Sequence, residues 1–175
     1  MTALCLLLHM ELQEGKERFI EAWGTLGSSW GITRTMAQIH ALLLVANEPL
    51  SSDDIMEELH ISRGNVNTTI RTLIDWGLVH KRLLPGERKE FFVGEKDIAK
   101  VIKNIIIARK KRELEPTLEL LDELTGVSGD DADAEEFRRV VRDLKAYSYK
   151  ADAALAALVK ADSNSFFSAF LTMIK

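Results

Sequence analysis

The sequence predicts a mainly α-helical protein with one small β-hairpin near the middle of the chain. Apolar residues recur at helical spacing over most of the 175 residues, which is typical of amphipathic helices. Ser51 and Ser62 each precede a short helical pattern, in the position of an N-terminal cap. After Gly77, the segments "LVHKRLL" and "KEFFV" are rich in aliphatic and aromatic residues and are separated by "PGER", as expected of a hairpin.

Two longer helices are predicted before the two short helices that Ser51 and Ser62 cap. Residues 11–30 place apolar side chains at helical spacing between charged ones, so they form one amphipathic helix that ends near Gly31. Residues 33–35 open a second, strongly apolar helix, "MAQIHALLLVA". It ends before Pro49, because the residue that precedes a proline is disfavoured in the helical conformation.

The capped pair has the pattern of a helix-turn-helix. Asp54 stands at the third helical position after Ser51, where it can complete a capping box. Each cap is flanked by an apolar pair spaced as a hydrophobic staple: Leu50 and Ile55 for Ser51, Ile61 and Val66 for Ser62. The second helix runs to Trp76, and Gly77 can take the left-handed conformation that ends it. Two short helices that meet at the turn "HIS" indicate a helix-turn-helix.

A hairpin and further helices follow. Pro85 and Gly86 suit the two central positions of a type II turn between the two strands. From residue 96 the sequence predicts a long helix, bent at Pro116, then an acidic loop and the helix "EEFRRVVRDLKAYSYKADAALAALV". A last apolar helix, "FFSAFLTMI", is predicted near the end of the sequence.

The charge is distributed unevenly. The formal net charge of −4 gives no global argument for nucleic acid. Residues 60–90, however, carry 6 basic and 3 acidic side chains, and residues 96–112 carry 7 and 1. Both flanking regions are acidic, so the basic middle of the chain is where a nucleic-acid surface would have to lie.

The composition argues against disulfide-linked, metal-binding and membrane-spanning proteins. With one cysteine, Cys5, an internal disulfide is impossible, which fits a reducing compartment. The four histidines show no metal-ligand spacing, and we predict neither a metal nor a cofactor. The apolar run at the start is too short for a membrane span or a signal peptide, so we expect a cytoplasmic protein without a membrane partner. Met10, which opens a well-patterned helix, is a second candidate for the natural start beside Met1.

The helix after Ser62 presents one polar face. On a helical wheel its apolar residues, Val66, Ile70, Leu73 and Ile74, fall on one arc. The opposite side and its borders carry side-chain types that read base edges in a major groove: Arg63, Asn65, Asn67, Thr68, Arg71 and Thr72. We therefore predict that this helix recognises double-stranded DNA.

Basic side chains cluster on the predicted hairpin, where phosphate contacts would supply affinity: Lys81, Arg82, Arg88 and Lys89. Gly86 would let the tip of the hairpin approach the duplex closely. Each of these charges taken singly is also compatible with an ordinary solvated surface. A winged helix that binds protein in a transcription-related complex is the alternative, but it would lack Arg and Lys on these two elements.

The segment from Trp30 to Phe92 resembles the GbsR branch of the MarR-like winged helix-turn-helix transcriptional regulators. The resemblance lies in "GITRT", "SRGNV", "WGLV" and "GERK". It implies a homodimer that binds a pseudo-palindromic operator, usually to repress. It also implies three regions: an N-terminal dimerisation helix at 1–30, the winged helix-turn-helix at 31–95, and a helical linker with dimerisation region at 96–175. Asn67 stands where the resemblance suggests serine, which leaves the base preference open.

Dimerisation is expected from helices on both sides of this domain. The candidate contact residues are large and apolar: Phe19, Ile20 and Trp23 in the first helix, Phe166, Phe167 and Phe170 at the end of the chain. A short helix as apolar as "FFSAFLTMI" requires a partner surface. Packing within its own chain is the alternative to packing between subunits.

The resemblance also suggests that the protein binds a small-molecule effector, because some relatives of this branch respond to choline-like or betaine-like osmolytes. A quaternary ammonium group needs an aromatic cage, for which Trp23, Trp30 and Tyr147 are the candidates. Aromatic residues at helical spacing are more often core residues. Tyr149 shares no helix face with Tyr147, since residues two apart point in different directions.

The basic run at residues 110–112, "KKR", fits a solvated helix face better than an extension of the phosphate-binding surface.

Catalytic motifs are absent from the sequence. It contains no glycine-rich phosphate loop, no GxSxG or HExxH motif and no Cys–His pair at catalytic spacing, so we predict no catalytic residue and no enzyme.

Overall fold

The computed structural model describes residues 10–161, which form two compact units, one up to Lys96 and one from Asp97 onward. The first unit contains, in order, α1 (Leu12–Ser29), α2 (Arg34–Val45), β1 (Leu50–Ser51), α3 (Ser52–Leu59), α4 (Arg63–Asp75), β2 (Val79–Arg82) and β3 (Phe91–Gly94). The second contains α5 (Ile98–Arg109), a π-helical segment (Lys110–Leu114), α6 (Glu115–Leu124) and α7 (Ala132–Lys160). The predicted mainly α-helical fold with a small hairpin is confirmed.

The centre of the first unit is α2. Ile39, Ala41 and Leu43 have at most 1% of their surface exposed, because α1, α3, α4 and β3 surround this helix. A mostly apolar sequence such as "MAQIHALLLVA" suits a helix that is covered on several sides. Thr33 begins α2 by accepting a hydrogen bond from the backbone N–H of Met36.

α1 approaches α2 through glycine. A Cβ atom built on Gly27 would lie 2.5 Å from the Cβ atom of Ala37, and one built on Gly24 would lie 2.8 Å from Cγ of Gln38. Such distances are shorter than van der Waals contact, so the helices pack this closely only because these positions lack side chains.

We therefore expect Gly27→Ala to destabilise the protein by about 2 kcal/mol, because the added methyl group would push α1 from α2. Gly15→Ala is the matched control in the same helix, since its nearest contact would be Met10 Sδ at 3.6 Å. Higher helix propensity should leave this control unchanged or stabilise it by up to about 1 kcal/mol. Urea unfolding measures both values, and equal effects of the two variants would contradict the packing argument.

The predicted caps of the helix-turn-helix are confirmed. Ser51 Oγ accepts a hydrogen bond from the Asp54 backbone N–H at 3.3 Å, and Asp54 Oδ2 accepts one from the Ser51 N–H at 2.7 Å. Ser62 Oγ accepts the N–H of Asn65 at 3.4 Å at the start of α4. Between the helices, His60 takes a left-handed conformation with φ of 52°, and Gly77 ends the motif with φ of 68°.

The sheet has three strands where the sequence predicted two. β2 and β3 form the expected antiparallel hairpin, and β1 pairs with the other edge of β3, Leu50 opposite Phe92 and Ser51 opposite Phe91. A two-residue strand is too short to show an alternating pattern. The predicted type II turn is confirmed, since Glu87 N–H donates to Leu84 O at 3.1 Å and Gly86 has φ of 84°.

Lys96 closes the end of α2. Its ammonium group donates hydrogen bonds to the main-chain carbonyls of Leu43, Leu44 and Ala46 at 2.9, 2.7 and 2.7 Å. The last carbonyls of a helix lack partners within the helix and carry partial negative charge, so a cation stabilises them. Lys96, two residues after β3, thereby joins the end of the hairpin to the central helix.

In the second unit, the predicted long helix is interrupted before Pro116. The π-helical segment of residues 110–114 changes the backbone hydrogen bonding, and Pro116 lies in the first turn of α6, where its missing N–H is tolerated. Asp131 begins α7 by accepting the N–H of Ala134 at 2.7 Å. The predicted terminal helix "FFSAFLTMI" lies outside the described residues.

The basic run in this unit is partly neutralised by acidic side chains. Lys110 forms ion pairs with Asp152 at 2.9 Å and Glu115 at 3.1 Å, and these two carboxylates raise its pKa. Glu113 pairs with both Arg109 and Arg112. These pairs reduce the charge that this run would offer to phosphates, which is compatible with the predicted solvated helix face.

Candidate nucleic-acid interface

α4 buries one face and exposes another, as the helical wheel predicts. Val66 and Leu73 have no exposed surface, and Ile70 is 3% exposed. Thr69 also lies in the core, which the wheel did not predict, and its hydroxyl donates to Asn65 Oδ1 at 3.4 Å. Of the predicted base-reading residues, Thr72 is half-buried. The other five are exposed on the open side of α4: Arg63, Asn65, Asn67, Thr68 and Arg71.

These side chains differ in whether they already form hydrogen bonds or ion pairs within the protein. The Thr72 hydroxyl donates to the Thr68 carbonyl within the helix at 3.2 Å. Within residues 10–161, no side-chain hydrogen bond or ion pair involves Asn67 or Arg71. These two residues therefore present their full hydrogen-bonding capacity to the surroundings of α4.

The hairpin carries its cations on β2 and around the turn. Lys81 forms an ion pair with Glu90 across the hairpin at 2.6 Å. Arg82 and Arg88 are exposed, and neither has an ion-pair partner in the part of the chain that the structure describes. Gly86 is exposed at the tip, with no atom within 4 Å of a built Cβ position. The tip is thus a narrow, positively charged projection.

Asp53 connects the two basic elements. From the first turn of α3, its Oδ1 accepts a hydrogen bond from Arg63 Nη2 at 2.6 Å, and its Oδ2 lies 3.8 Å from Lys89 Nζ. One carboxylate therefore holds a cation at the tip of α4 and another on the hairpin. The sequence showed Asp53 only as an acid at a helix start, because its partners are 10 and 36 positions away along the chain.

The aromatic candidates for an effector cage have other surroundings. The Trp23 indole donates to His40 Nδ1 at 3.3 Å, and its ring contacts are with Phe19 and His40. Trp30 is exposed, and the ammonium group of Lys150 lies 5.1 Å from the centre of the exposed Tyr147 ring. An effector and its relief of repression stay predictions from the resemblance.

The second unit has an open cleft of about 460 Å³ beside the π-helical segment. Its lining is mostly apolar with charged side chains at the border: Ile106, Arg109, Lys110, Glu113, Leu114, Ala151 and Leu155. It contains none of the aromatic residues predicted for a cage.

The predicted dimerisation residues are only partly described. Phe19 and Trp23 are half-buried on α1, and Ile20 is 6% exposed because it belongs to the core beside α2. Phe166, Phe167 and Phe170 lie outside the described residues. The dimerisation role of both groups stays a prediction.

No helix in residues 10–161 is long and apolar enough to cross a membrane. In the same range, no group of three or more His, Cys, Asp or Glu side chains is arranged to hold a metal ion.

The order of α2, α3, α4 and the hairpin defines a winged helix-turn-helix domain, with α4 as its recognition helix and β2–β3 as its wing. Residues 30–90 match the family model described as "MarR family", and this range runs from the start of α2 into the wing. This part of the chain, residues 30–90, is therefore similar to a MarR-family domain. The predicted resemblance to GbsR-type regulators is confirmed by the relatives described next.

Two curated proteins are similar to this chain. The HTH-type transcriptional repressor GbsR of Bacillus subtilis (strain 168) is 26% identical over 112 residues, which are 64% of this chain and 62% of that protein. The HTH-type transcriptional regulator MmpR5 of Mycobacterium tuberculosis is 31% identical over 75 residues, 42% of this chain and 46% of that protein. The matched regions thus span less than two thirds of either relative.

A solved structure supports the fold over a longer range. A crystal structure described as that of a transcriptional regulator has a TM-score of 0.59 and covers 84% of this chain and 99% of its own chain. At 24% identity, this likeness shows the fold alone.

Proposed function

We propose that this protein is a sequence-specific DNA-binding transcriptional regulator that represses as a homodimer on a pseudo-palindromic operator. The observation that carries the proposal is the polar face of α4 beside a basic wing in one domain that is similar to the MarR family. The names of the two curated relatives, a repressor and a regulator, support the same class. None of these names describes an enzyme, and we propose no catalytic activity.

In this proposal, α4 lies in the major groove and reads base edges. Asn65 and Asn67 can each bond an adenine through two hydrogen bonds, and Arg71 can do so with a guanine. The absence of other partners for Asn67 and Arg71 among residues 10–161 supports their role, because a side chain already paired would first have to be released. On binding DNA, Asn65 would give up its weak hydrogen bond with Thr69 and bond a base instead.

The wing supplies affinity. Arg82 and Arg88 would contact phosphates or an adjacent minor groove, and Gly86 would allow the tip to come close to the backbone. Lys81 and Lys89 contribute more weakly in this arrangement, since Glu90 and Asp53 already neutralise part of their charge.

The experiment that tests the proposal is a footprint on the DNA upstream of the protein's own gene, followed by binding measurements across a salt series. Specific binding should protect a two-fold symmetric site, and the logarithm of affinity should fall linearly with the logarithm of salt concentration. An intact protein that binds no duplex, or a flat salt response, would contradict the proposal and favour protein contact by this winged helix.

Arg88→Ala and Asn65→Ala should have different effects. Arg88→Ala removes a phosphate contact, so it should weaken binding to all sequences alike and make the salt slope shallower by about 0.9. Asn65→Ala removes a base contact, so discrimination at one or two base pairs should fall about tenfold.

Fluorescence anisotropy on the operator and on single-base variants separates these two effects. Lys111→Ala is the control for Arg88→Ala, because it removes one exposed positive charge outside the winged domain. Losses that are equal for every sequence in both variants would show that α4 is not the base-reading element.

A further inference from the structure

α7 exposes an apolar stripe, which at its C-terminal end adjoins the cleft beside the π-helical segment through Ala151. Four large side chains are between 41% and 71% exposed, and two alanines continue the stripe toward the end of the helix: Phe137, Val140, Leu144, Tyr147, Ala151 and Ala154. α7 is 29 residues long, so a stripe from 137 to 154 occupies its middle and extends over several turns. An exposed apolar surface of this kind is typical of a protein-binding face.

The spacing of the stripe is that of a coiled-coil seam. The residues follow one another at alternating steps of three and four, so they occupy the a and d positions of successive heptads. A globular packing face usually needs a wider arc of apolar residues. This narrow seam therefore fits another helix better than a sheet or a broad surface.

The neighbouring face of α7 is already used inside the second unit. Val141 is 4% exposed, Lys145 forms an ion pair with Asp122 of α6 at 2.8 Å, and Tyr149 donates to the same carboxylate at 2.8 Å. Contacts with α6 thus fix which side of α7 faces inward, and they leave the stripe directed outward.

The stripe is complementary to itself when two copies run antiparallel. Its midpoint lies between Leu144 and Tyr147, so the antiparallel register that uses all six residues places Leu144 opposite Tyr147 of the partner subunit. The same register places Phe137 opposite the partner's Ala154 and Val140 opposite the partner's Ala151. Each layer then joins a larger residue to a smaller one, which keeps the distance between the helices even.

Charges beside the seam also favour the antiparallel direction. Residues 143 and 150 border the stripe on one side, as Asp and Lys. In the antiparallel register, Asp143 of each copy lies beside Lys150 of the other, twice by symmetry. A parallel pair would place Asp143 beside Ser148 and Lys150 beside Leu155, without opposite charges. Lys150 has no carboxylate partner in the described part of its own chain, whereas Asp143 contacts Arg139 at 3.2 Å.

We propose that the 137–154 stripe of α7 is the seam of an antiparallel two-helix contact between two copies of this chain. The inference deepens the homodimer in the proposed function, and it assigns subunit contact to a surface other than α1 and the terminal phenylalanines. It does not depend on DNA binding, because the contact can be measured without DNA.

The first test is the mass of the full-length protein in solution without DNA, by light scattering after size exclusion. The wild-type chain should be a dimer, and Leu144→Lys should be a monomer or dissociate at least tenfold more easily, because it would bury a charge at the middle of the seam. Ala146→Lys, on the solvent side of α7, should remain dimeric. Circular dichroism shows whether each variant keeps its helices. A monomeric wild type, or a folded Leu144→Lys variant that dimerises normally, would overturn the proposal.

The second test fixes the direction of the two helices by disulfide formation, with Cys5 replaced by serine. A mixture of Val140→Cys and Ala151→Cys chains should form a mixed disulfide, because these positions face each other in the antiparallel register. Each variant alone should not cross-link, since its two cysteines would be about 17 Å apart along the helix axis. Cross-linking of each variant with itself and no mixed product would indicate a parallel pair and overturn the proposal. Failure of the dimer to bind DNA would instead count only against the proposed function.

Discussion

Acidification from pH 7 to pH 4 is expected to lower the free energy of unfolding by about 3 kcal/mol through His40 alone. His40 of α2 is 3% exposed and contacts Trp23 of α1, and burial lowers its pKa from 6.5 to about 4. Between these two values the unfolded chain binds a proton at this site and the folded chain does not. The contribution of His40 to the free energy of unfolding is therefore fully present above pH 6.5 and is lost as the pH falls toward 4. Below pH 4 this site causes no further loss.

The geometry around His40 explains why the charged form is disfavoured. Nδ1 accepts the Trp23 indole N–H, so a proton on Nδ1 would place two donors against each other. Nε2 is buried without a hydrogen-bond partner among the described residues. A positive charge on the ring would thus lack both solvent and a counterion.

Urea unfolding at several pH values measures this effect. His40→Gln should remove most of the dependence between pH 6.5 and 4, whatever its effect on stability at pH 7. His60→Asn is the control, because His60 is exposed and asparagine tolerates its left-handed backbone conformation. An unchanged pH dependence in His40→Gln would mean that other groups cause the acid destabilisation.

The second large effect is expected on DNA affinity: Asp53→Asn should raise binding to unrelated duplexes about tenfold to a hundredfold at low salt. The substitution removes the carboxylate that holds Arg63 and Lys89, which frees two cations for phosphates. It also removes a negative charge next to the proposed DNA-binding surface. The salt slope should become steeper by up to about 1.8, since each additional phosphate contact contributes about 0.9.

Glu57→Gln is the matched control for Asp53→Asn. It removes one exposed negative charge from the same helix, and no ion pair joins Glu57 to a predicted DNA-binding residue in the described range. Little stability should be lost in Asp53→Asn, because Asp53 and both cations are well exposed and such pairs contribute little. Equal gains from the two variants would assign the effect to net charge and not to the release of Arg63 and Lys89.

Local patterns of the sequence were sufficient for most of the winged domain. The caps at Ser51 and Ser62, the stop at Gly77 and the turn at Pro85 and Gly86 depend on residues a few positions apart, so each could be recognised without the fold. The burial of Val66, Ile70 and Leu73 followed from helical periodicity. The exposed set on α4 followed from the same wheel.

Contacts between distant residues could not be predicted in the same way. Asp53 meets Lys89 across 36 positions, and Lys96 reaches Leu43 across 53. Nothing in a window around either residue indicates its partner. The α7 stripe has a local spacing, but which side of α7 is covered depends on contacts with α6, which the sequence does not indicate.

The position of Ser51 has a consequence for the proposed operator. Ser51 pairs with Phe91 in the sheet and caps α3 with its side chain, so a single buried residue belongs to both the wing and the helix-turn-helix. The base of the wing therefore cannot shift without disturbing the start of α3. In the proposed complex, the protein therefore sets the distance, within one subunit, between the bases that α4 would read and the phosphates that the wing would bind. We expect half-sites to tolerate base changes better than an inserted or deleted base pair between these two contacts.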